Sequence, residues 1–425
     1  MSNDERYLVV STDGHCGADL YGYKPYLESQ YHDEFDAWAA SFSDGWGDLD
    51  TELEDFRVGV ASYASDVNWV SAKRQDYIDK EGIAAEVLFP NTAPPFFPNN
   101  QVSASIPPVG GREYELRSAG LRAHNRWLVD FCKEVPGRRI GIAQTFLNDV
   151  DAAVKEIKWA HENGLKGVLL PPDTILQLSN LYYPRLEPIW QICEELGMPL
   201  HRHGIAPSEA ASEETGIAAP AIGLFEFINF VYRPVVHLIL AGVFDQHPNL
   251  RLVITEQGTT SLQPVITQMD GYVKHSREVN SISRYFSAPV VDNLKQMPSD
   301  YMRQNVYFGS FLDSGDIENR YNVGVDHVMW GADFPHHEGT VPFSREAMSL
   351  NFADLPEEET RKMLGLNAVE VYRLDREALQ KVANDIGPTP EELRRPVDLD
   401  QIPESLRLLC NTFSGNAFSF HNEGE

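Results

Sequence analysis

Short apolar and β-branched runs alternate along this chain with longer stretches in which apolar residues return every three or four positions. Runs of the first kind occupy residues 7–11, 84–89, 139–145, 166–170, 198–203, 252–256, 306–309 and 327–330, and their length and composition predict eight β-strands. Stretches of the second kind lie between them. In 149–163, Ala152, Val154, Ile157 and Ala160 share one face of a predicted helix, and 185–196 carries a similar stripe. Repeated strand–helix units predict an α/β fold with a parallel sheet, and closure of that sheet gives a (β/α)8 TIM-type barrel. An open doubly wound sheet is the alternative, but no G-x-G-x-x-G follows the first strand.

A barrel of this type takes about 250 residues, and the chain has 425. The surplus predicts a barrel over 1–386 with insertions at about 20–70, 91–111 and 204–224, followed by a C-terminal extension over 387–425 that opens on Pro388 and Pro390. Within the first insertion Asp44, Asp48, Asp50, Glu52, Glu54 and Asp55 occur without a basic residue, which reads as a solvated surface. The second holds Pro94, Pro95, Pro98, Pro107 and Pro108 around Phe96 and Phe97, a non-helical loop. All three follow strands and so rise on the C-terminal face, where barrels carry their chemistry.

Charge narrows the partners. With 35 Lys and Arg against 63 Asp and Glu the net charge is -28, which disfavours phosphate backbones and anionic membranes. The oily stretch 227–244 is broken by Arg233, Pro234 and His237, and the N-terminus has no apolar leader, so a cytoplasmic protein is expected. Cys16, Cys132, Cys193 and Cys410 are scattered without a C-x-x-C pair and read as buried small hydrophobes.

Polar residues at the strand ends carry the chemical signal. The first strand runs into Asp13-Gly14-His15, the fifth ends in His201-Arg202-His203, the sixth in Glu256 and the eighth approaches Asp333. In extended chain Asp13 and His15 share a face, as do His201 and His203. Singly, each has an ordinary reading as a helix cap or a core histidine. Together they deliver carboxylates and imidazoles to one end of a barrel, and both bind metal ions when deprotonated. His124 and His161 sit in helical patterns, His247 precedes Pro248 and His421 is in the tail, so these read as structural; His237 stays open.

With these residues in place the chain resembles the amidohydrolase superfamily, in the amidohydrolase-2 branch that includes decarboxylases related to aminocarboxymuconate-semialdehyde decarboxylase. The resemblance runs from Val9 to about Leu374 and rests on Asp13-x-His15, His203, His247-Pro248-Asn249-Leu250, Gly331-x-Asp333-x-Pro335 and Leu364-Gly365-Leu366-Asn367-Ala368. It implies a TIM-type barrel with one or two metals at its C-terminal face. Two departures matter: Asp13 and Glu256 stand where the superfamily pattern has histidines. The strand at 166–170 begins with Lys166 and ends in Leu170-Pro171-Pro172-Asp173, which leaves no candidate for the carbamylated lysine that bridges two zincs in many hydrolases. If two metals bind, a carboxylate bridges them.

The set Asp13, Glu256 and Asp333 with His15, His203 and His201, His336 or His337 is similar to the ligands of di-iron carboxylate proteins. The PHHEGT run at 335–340 and Glu256-Gln257-Gly258 resemble a group of non-heme di-iron monooxygenases that hydroxylate diterpenoids in platensimycin and platencin biosynthesis. That resemblance implies two iron ions, O2, an electron donor and a hydrophobic polycyclic acid, with His336, His337 and Glu338 in catalysis. One or two zinc or manganese ions are the alternative metals. Hydrolysis of a C–N or C–O bond and non-oxidative decarboxylation are the alternative reactions, and a non-catalytic binding relative is the least favoured, because carboxylates in place of histidines keep metal capacity. Trp69, Phe96, Phe97, Tyr182, Tyr183, Phe225 and Phe230 either line a pocket for a small hydrophobic substrate or pack the insertions onto the barrel. A homodimer is left open.

Overall fold

Strands covered on both faces read as unbroken apolar runs, and the runs here are buried from end to end. The computed structural model describes residues 5–43, 65–98, 110–171, 180–204 and 214–414. Its strands are β1 (Val10–Ser11), β2 (His15–Cys16), β3 (Ala85–Pro90), β4 (Arg139–Gln144), β5 (Gly167–Leu169), β6 (Leu200–His203), β7 (Leu252–Thr255), β8 (Val306–Ser310) and β9 (Val328–Trp330). They pair in parallel in the order β1-β3-β4-β5-β6-β7-β8-β9, with β2 also on β3. Hydrogen bonds from Thr12 N to Trp330 O (2.9 Å), His15 N to Phe334 O (2.7 Å) and Asp333 N to Asp13 O (2.9 Å) return the last strand to the first. The sheet thus closes into the (β/α)8 barrel. Gly331 lies in this seam, where a Cβ would come within 2.6 Å of Asp13 Cβ, so the close approach requires glycine.

The two-residue period of a strand sorts side chains into two cores. Val10, Val87, Phe89, Ile142, Val253 and Met329 fill the barrel, which Val371, Tyr372 and Leu379 plug at the end away from the C-terminal face. Leu88, Val168, Leu200, Ile254 and Phe308 pack outward against the helices. Helix Val150–Glu162 begins where Asp149 accepts a hydrogen bond from Ala152 N and buries Ala153, Ile157 and Ala160. The Leu364–Ala368 motif acts by close contact: a Cβ on Gly365 would lie 2.1 Å from Leu8 O, and Asn367 Nδ2 donates to Val325 O and Val328 O.

Some elements differ from the sequence reading. The predicted strand at 7–11 pairs only over β1, because Tyr7 N instead donates to Pro388 O of the C-terminal extension. The first insertion contains a 3-10 helix, Leu20–Tyr26, and a helix, His32–Ala39, and the third runs into helix Ala219–Val231. The acidic run at 44–55, Asp173 and His421 lie outside the described residues. The extension packs Ile402, Leu406, Cys410 and Phe413 against Phe311 and Ala347, beyond the ends of β8 and β9. Among the described residues no helix is long and apolar enough to cross a membrane.

Candidate metal centre

At the C-terminal ends of the strands the backbone turns ligand-type side chains inward. Three overlapping groups result: Asp13, His15 and His203; His15, Asp333 and His336; and Glu256, Asp333, His336 and Glu338, each with its ligand atoms within 4.8 Å of one another. Glu256 and Asp333, the residues just past the strand ends, both hold left-handed backbone, with φ of 61° and 55°. Such geometry costs a non-glycine residue about 1–3 kcal/mol and clusters at functional sites. Arg74, wholly buried, grips both Glu86 oxygens (2.8 and 2.7 Å) and donates to His15 O (2.7 Å), fixing β2 from behind.

The hydrogen bonds decide which atoms face the centre. His15 Nδ1 lies 3.2 Å from Pro90 O and His203 Nδ1 lies 3.0 Å from Gly204 O. A carbonyl only accepts, so both rings carry hydrogen on Nδ1. Their Nε2 atoms then meet at 3.1 Å. Asp13 Oδ1 lies 3.3 Å from His203 Nε2 and 3.5 Å from His15 Nε2, and Asp333 Oδ1 lies 3.1 Å from His15 Nε2. Asp13 Oδ2 and both Asp333 oxygens are buried without a hydrogen bond of normal geometry. Acceptors converging on one buried point are stable only around positive charge, and this donor set fits a divalent cation.

Electrostatics says the same of the chain alone. Burial opposes charge on His15, but the Asp13 and Asp333 carboxylates overcome it and push the imidazole up to about 10. Burial also works against the Asp333 charge, yet His336 and His15 hold that carboxyl well below its ordinary range. Glu256 moves the other way: burial, then the charges of Asp333, Asp13 and Glu338, raise it well above 4.5.

Not every candidate joins the centre. His201 sits one strand repeat, about 7 Å, deeper than His203, stacked on Tyr372 at 5.7 Å and edge-on to Phe89. Burial and the neighbouring His203 push it down to about 3. His337 is buried but belongs to none of the three groups. The aromatic candidates fall in separate clusters. Phe96 packs on Tyr31, Phe35 and Trp38 of the first insertion, and Phe97 stacks on Phe146. Trp69 is half-buried against the outer core; Tyr182 and Tyr183 are exposed and touch each other, Tyr182 also meeting His237. Phe225 is exposed, and the Phe230 side chain lies outside the described residues. A surface groove of about 750 Å³ beside Arg345 and Glu392 shares none of these residues. Sequence reasoning missed Arg74, Asn68 and Asn91; of these only Asn91, a polar residue directly after β3, carried the strand-end signal.

Residues 94–374 match the family model described as Amidohydrolase. The chain belongs to this amidohydrolase family. Among its amidohydrolase relatives, gamma-resorcylate decarboxylase of Rhodococcus jostii is 26% identical over 270 residues, 60% of this chain and 77% of that protein. In fold, the chain is similar to the 5-carboxyvanillate decarboxylase of Sphingomonas paucimobilis, with a TM-score of 0.61 and 19% identity over 86% of this chain and 99% of the other. It is also similar to a dihydroxybenzoic acid decarboxylase of Polaromonas sp. JS666, solved with bound manganese and 2-nitroresorcinol, with a TM-score of 0.56 and 16% identity over 87% and 98% of the two chains. The amidohydrolase family and barrel are thereby established, whereas nothing in these relatives points to two irons or to an oxygenase.

Proposed function

We propose that this amidohydrolase is a metal-dependent decarboxylase of a hydroxylated aromatic or similarly apolar carboxylic acid, working without an oxidant. The observation that carries the reading is the convergence of Asp13, His15, His203 and Asp333 on one buried point, in a barrel whose relatives decarboxylate phenolic acids. These four residues, with His336 beside Asp333, would hold one manganese or zinc ion. When bound, the metal supplies a positive anchor for the substrate carboxylate and a neighbouring hydroxyl. Loss of CO2 leaves an electron pair on carbon that must take up a proton. Glu256 and Glu338, grouped with Asp333 and His336, are the carboxyls placed to pass one to that carbon. The barrel floor of Phe89, Tyr372 and Val10 keeps water from reaching the centre from below.

A second reading has its own observation. Glu256, Asp333, His336 and Glu338 form an oxygen-rich group that shares Asp333 and His336 with the group containing His15, so these residues could hold a second metal beside the first. Two irons there would support O2-dependent hydroxylation of a hydrophobic, polycyclic acid, with an electron donor. One experiment separates the two. Metal analysis of protein purified without added metal is combined with turnover of a panel of aromatic and terpenoid acids, with and without oxygen. Decarboxylation predicts one manganese or zinc per chain and CO2 release that continues anaerobically. Two irons per chain, with turnover that stops without oxygen, would overturn it in favour of hydroxylation.

A further inference from the structure

A ladder of amides runs from the first insertion to the centre. Asn68 Nδ2 lies 2.8 Å from Ser65 O. A backbone carbonyl cannot donate, so this contact fixes the amide with Nδ2 outward and Oδ1 turned to Asn91. Asn91 Nδ2 donates to that Oδ1 at 2.8 Å, which in turn leaves Asn91 Oδ1 facing His336 Nε2 at 2.9 Å. An amide oxygen also only accepts. Each step orients the next, and the Asn91 oxygen calls for a hydrogen on His336 Nε2. The opposite ring atom, Nδ1, lies 3.0 Å from Asp333 Oδ1, on the side where His336 stacks on His15 at 3.9 Å. Asn68 and Asn91 are wholly buried, and His336 is buried.

We infer that Asn68 and Asn91 are positioning residues that set the His336 tautomer and present its Nδ1 to the metal centre. Both precede residues 94–374, the segment matched to the family model. The first insertion thereby acts on the chemistry through two hydrogen bonds. Partners of this kind fix ring orientation, and their loss typically weakens metal binding by about 10–100-fold. The inference rests on the metal-centre reading, and its test reports on the two separately.

The full chain is labelled with nitrogen-15 histidine, and the His336 ring is assigned by comparison with His336→Gln. Long-range proton–nitrogen spectra are recorded for metal-free and zinc-loaded protein. The wild type should show hydrogen on Nε2 in both. Asn91→Leu should populate the other tautomer and weaken zinc binding by about 10-fold or more, whereas Asn91→Asp, which also presents an oxygen to Nε2, should keep hydrogen there. Asn68→Leu, which leaves Asn91 in place but removes the acceptor that orients its amide, should give a mixture of tautomers and an intermediate affinity; it carries the test if Asn91→Leu does not fold. Hydrogen on Nε2 together with unchanged zinc affinity in folded Asn91→Leu or Asn68→Leu overturns the inference. A wild type that takes up no zinc overturns the metal reading instead, while the metal-free spectra still report the ladder.

Discussion

At Glu256 the backbone and the side chain are both held in unfavourable states. Its φ is 61° and its carboxyl shares a site with Asp333, Asp13 and Glu338. Glycine would relieve the backbone and remove the repulsion together. Glu256→Gly should therefore stabilise metal-free protein by about 1–2 kcal/mol in calorimetry while leaving metal content by elemental analysis unchanged and slowing turnover. A loss of stability would show that Glu256 serves the fold and not the centre. His124 gives a pH prediction far from any ligand. It is buried beside Tyr23 Oη at 3.0 Å, and burial pushes it down to about 3. The folded state thus resists a proton that the unfolded state accepts near 6.5, so its stabilising contribution is present above pH 6.5 and is lost as pH falls from there towards 3. At pH 5 the loss is about 2 kcal/mol. His124→Gln should flatten the acid limb of urea-melt stability against pH; an unchanged limb contradicts the assignment.

Between elements, the Arg74–Glu86 pair joins the helix Ser71–Lys80 to β3 and, through His15 O, to β2. Arg74→Met leaves Glu86 buried with only the distant Arg139 Nε at 3.9 Å, and should cost about 3–5 kcal/mol. Adding Glu86→Leu removes the stranded charge and should recover most of that stability in urea denaturation. Metal affinity should stay low, because His15 has still lost its anchor. Neither partner was legible in the sequence, since nothing local marks an arginine whose carboxylate lies in another element. The strands were legible, because apolar side chains on both faces leave an unbroken run, and so were Asp13, His15, His203, Glu256 and Asp333, because each ends such a run with a ligand-type side chain. His201 could not be told from His203: both share one face of β6, and only depth along the strand separates them. The aromatics failed to declare themselves for a related reason, as Phe96 faces the first insertion and Phe97 its neighbour Phe146, a choice set by loop geometry and not by residue type.

For the molecule as a whole, the C-terminal extension covers an apolar patch at the site end of the barrel, with Thr412 Oγ1 donating to Leu312 O at 2.8 Å. Ending the chain after Pro396 uncovers Phe311 and Ala347. Net of the entropy of ordering the segment, this should cost about 3 kcal/mol, or a Tm lower by about 4 °C, measured by calorimetry. An unchanged Tm would mean that the extension is an ornament on a self-sufficient barrel. The seam has a consequence of another kind. Asp13 and Asp333, bonded backbone to backbone where the barrel closes, stand roughly 320 residues apart in the chain. At a synthesis rate of about 5–20 residues per second, Asp333 leaves the ribosome some ~15–60 s after Asp13. Throughout that interval the nascent chain holds part of a binding site and a first strand with one edge unpaired. A chain halted before Asp333 would therefore carry every strand of the sheet and still lack one of the side chains that complete the centre.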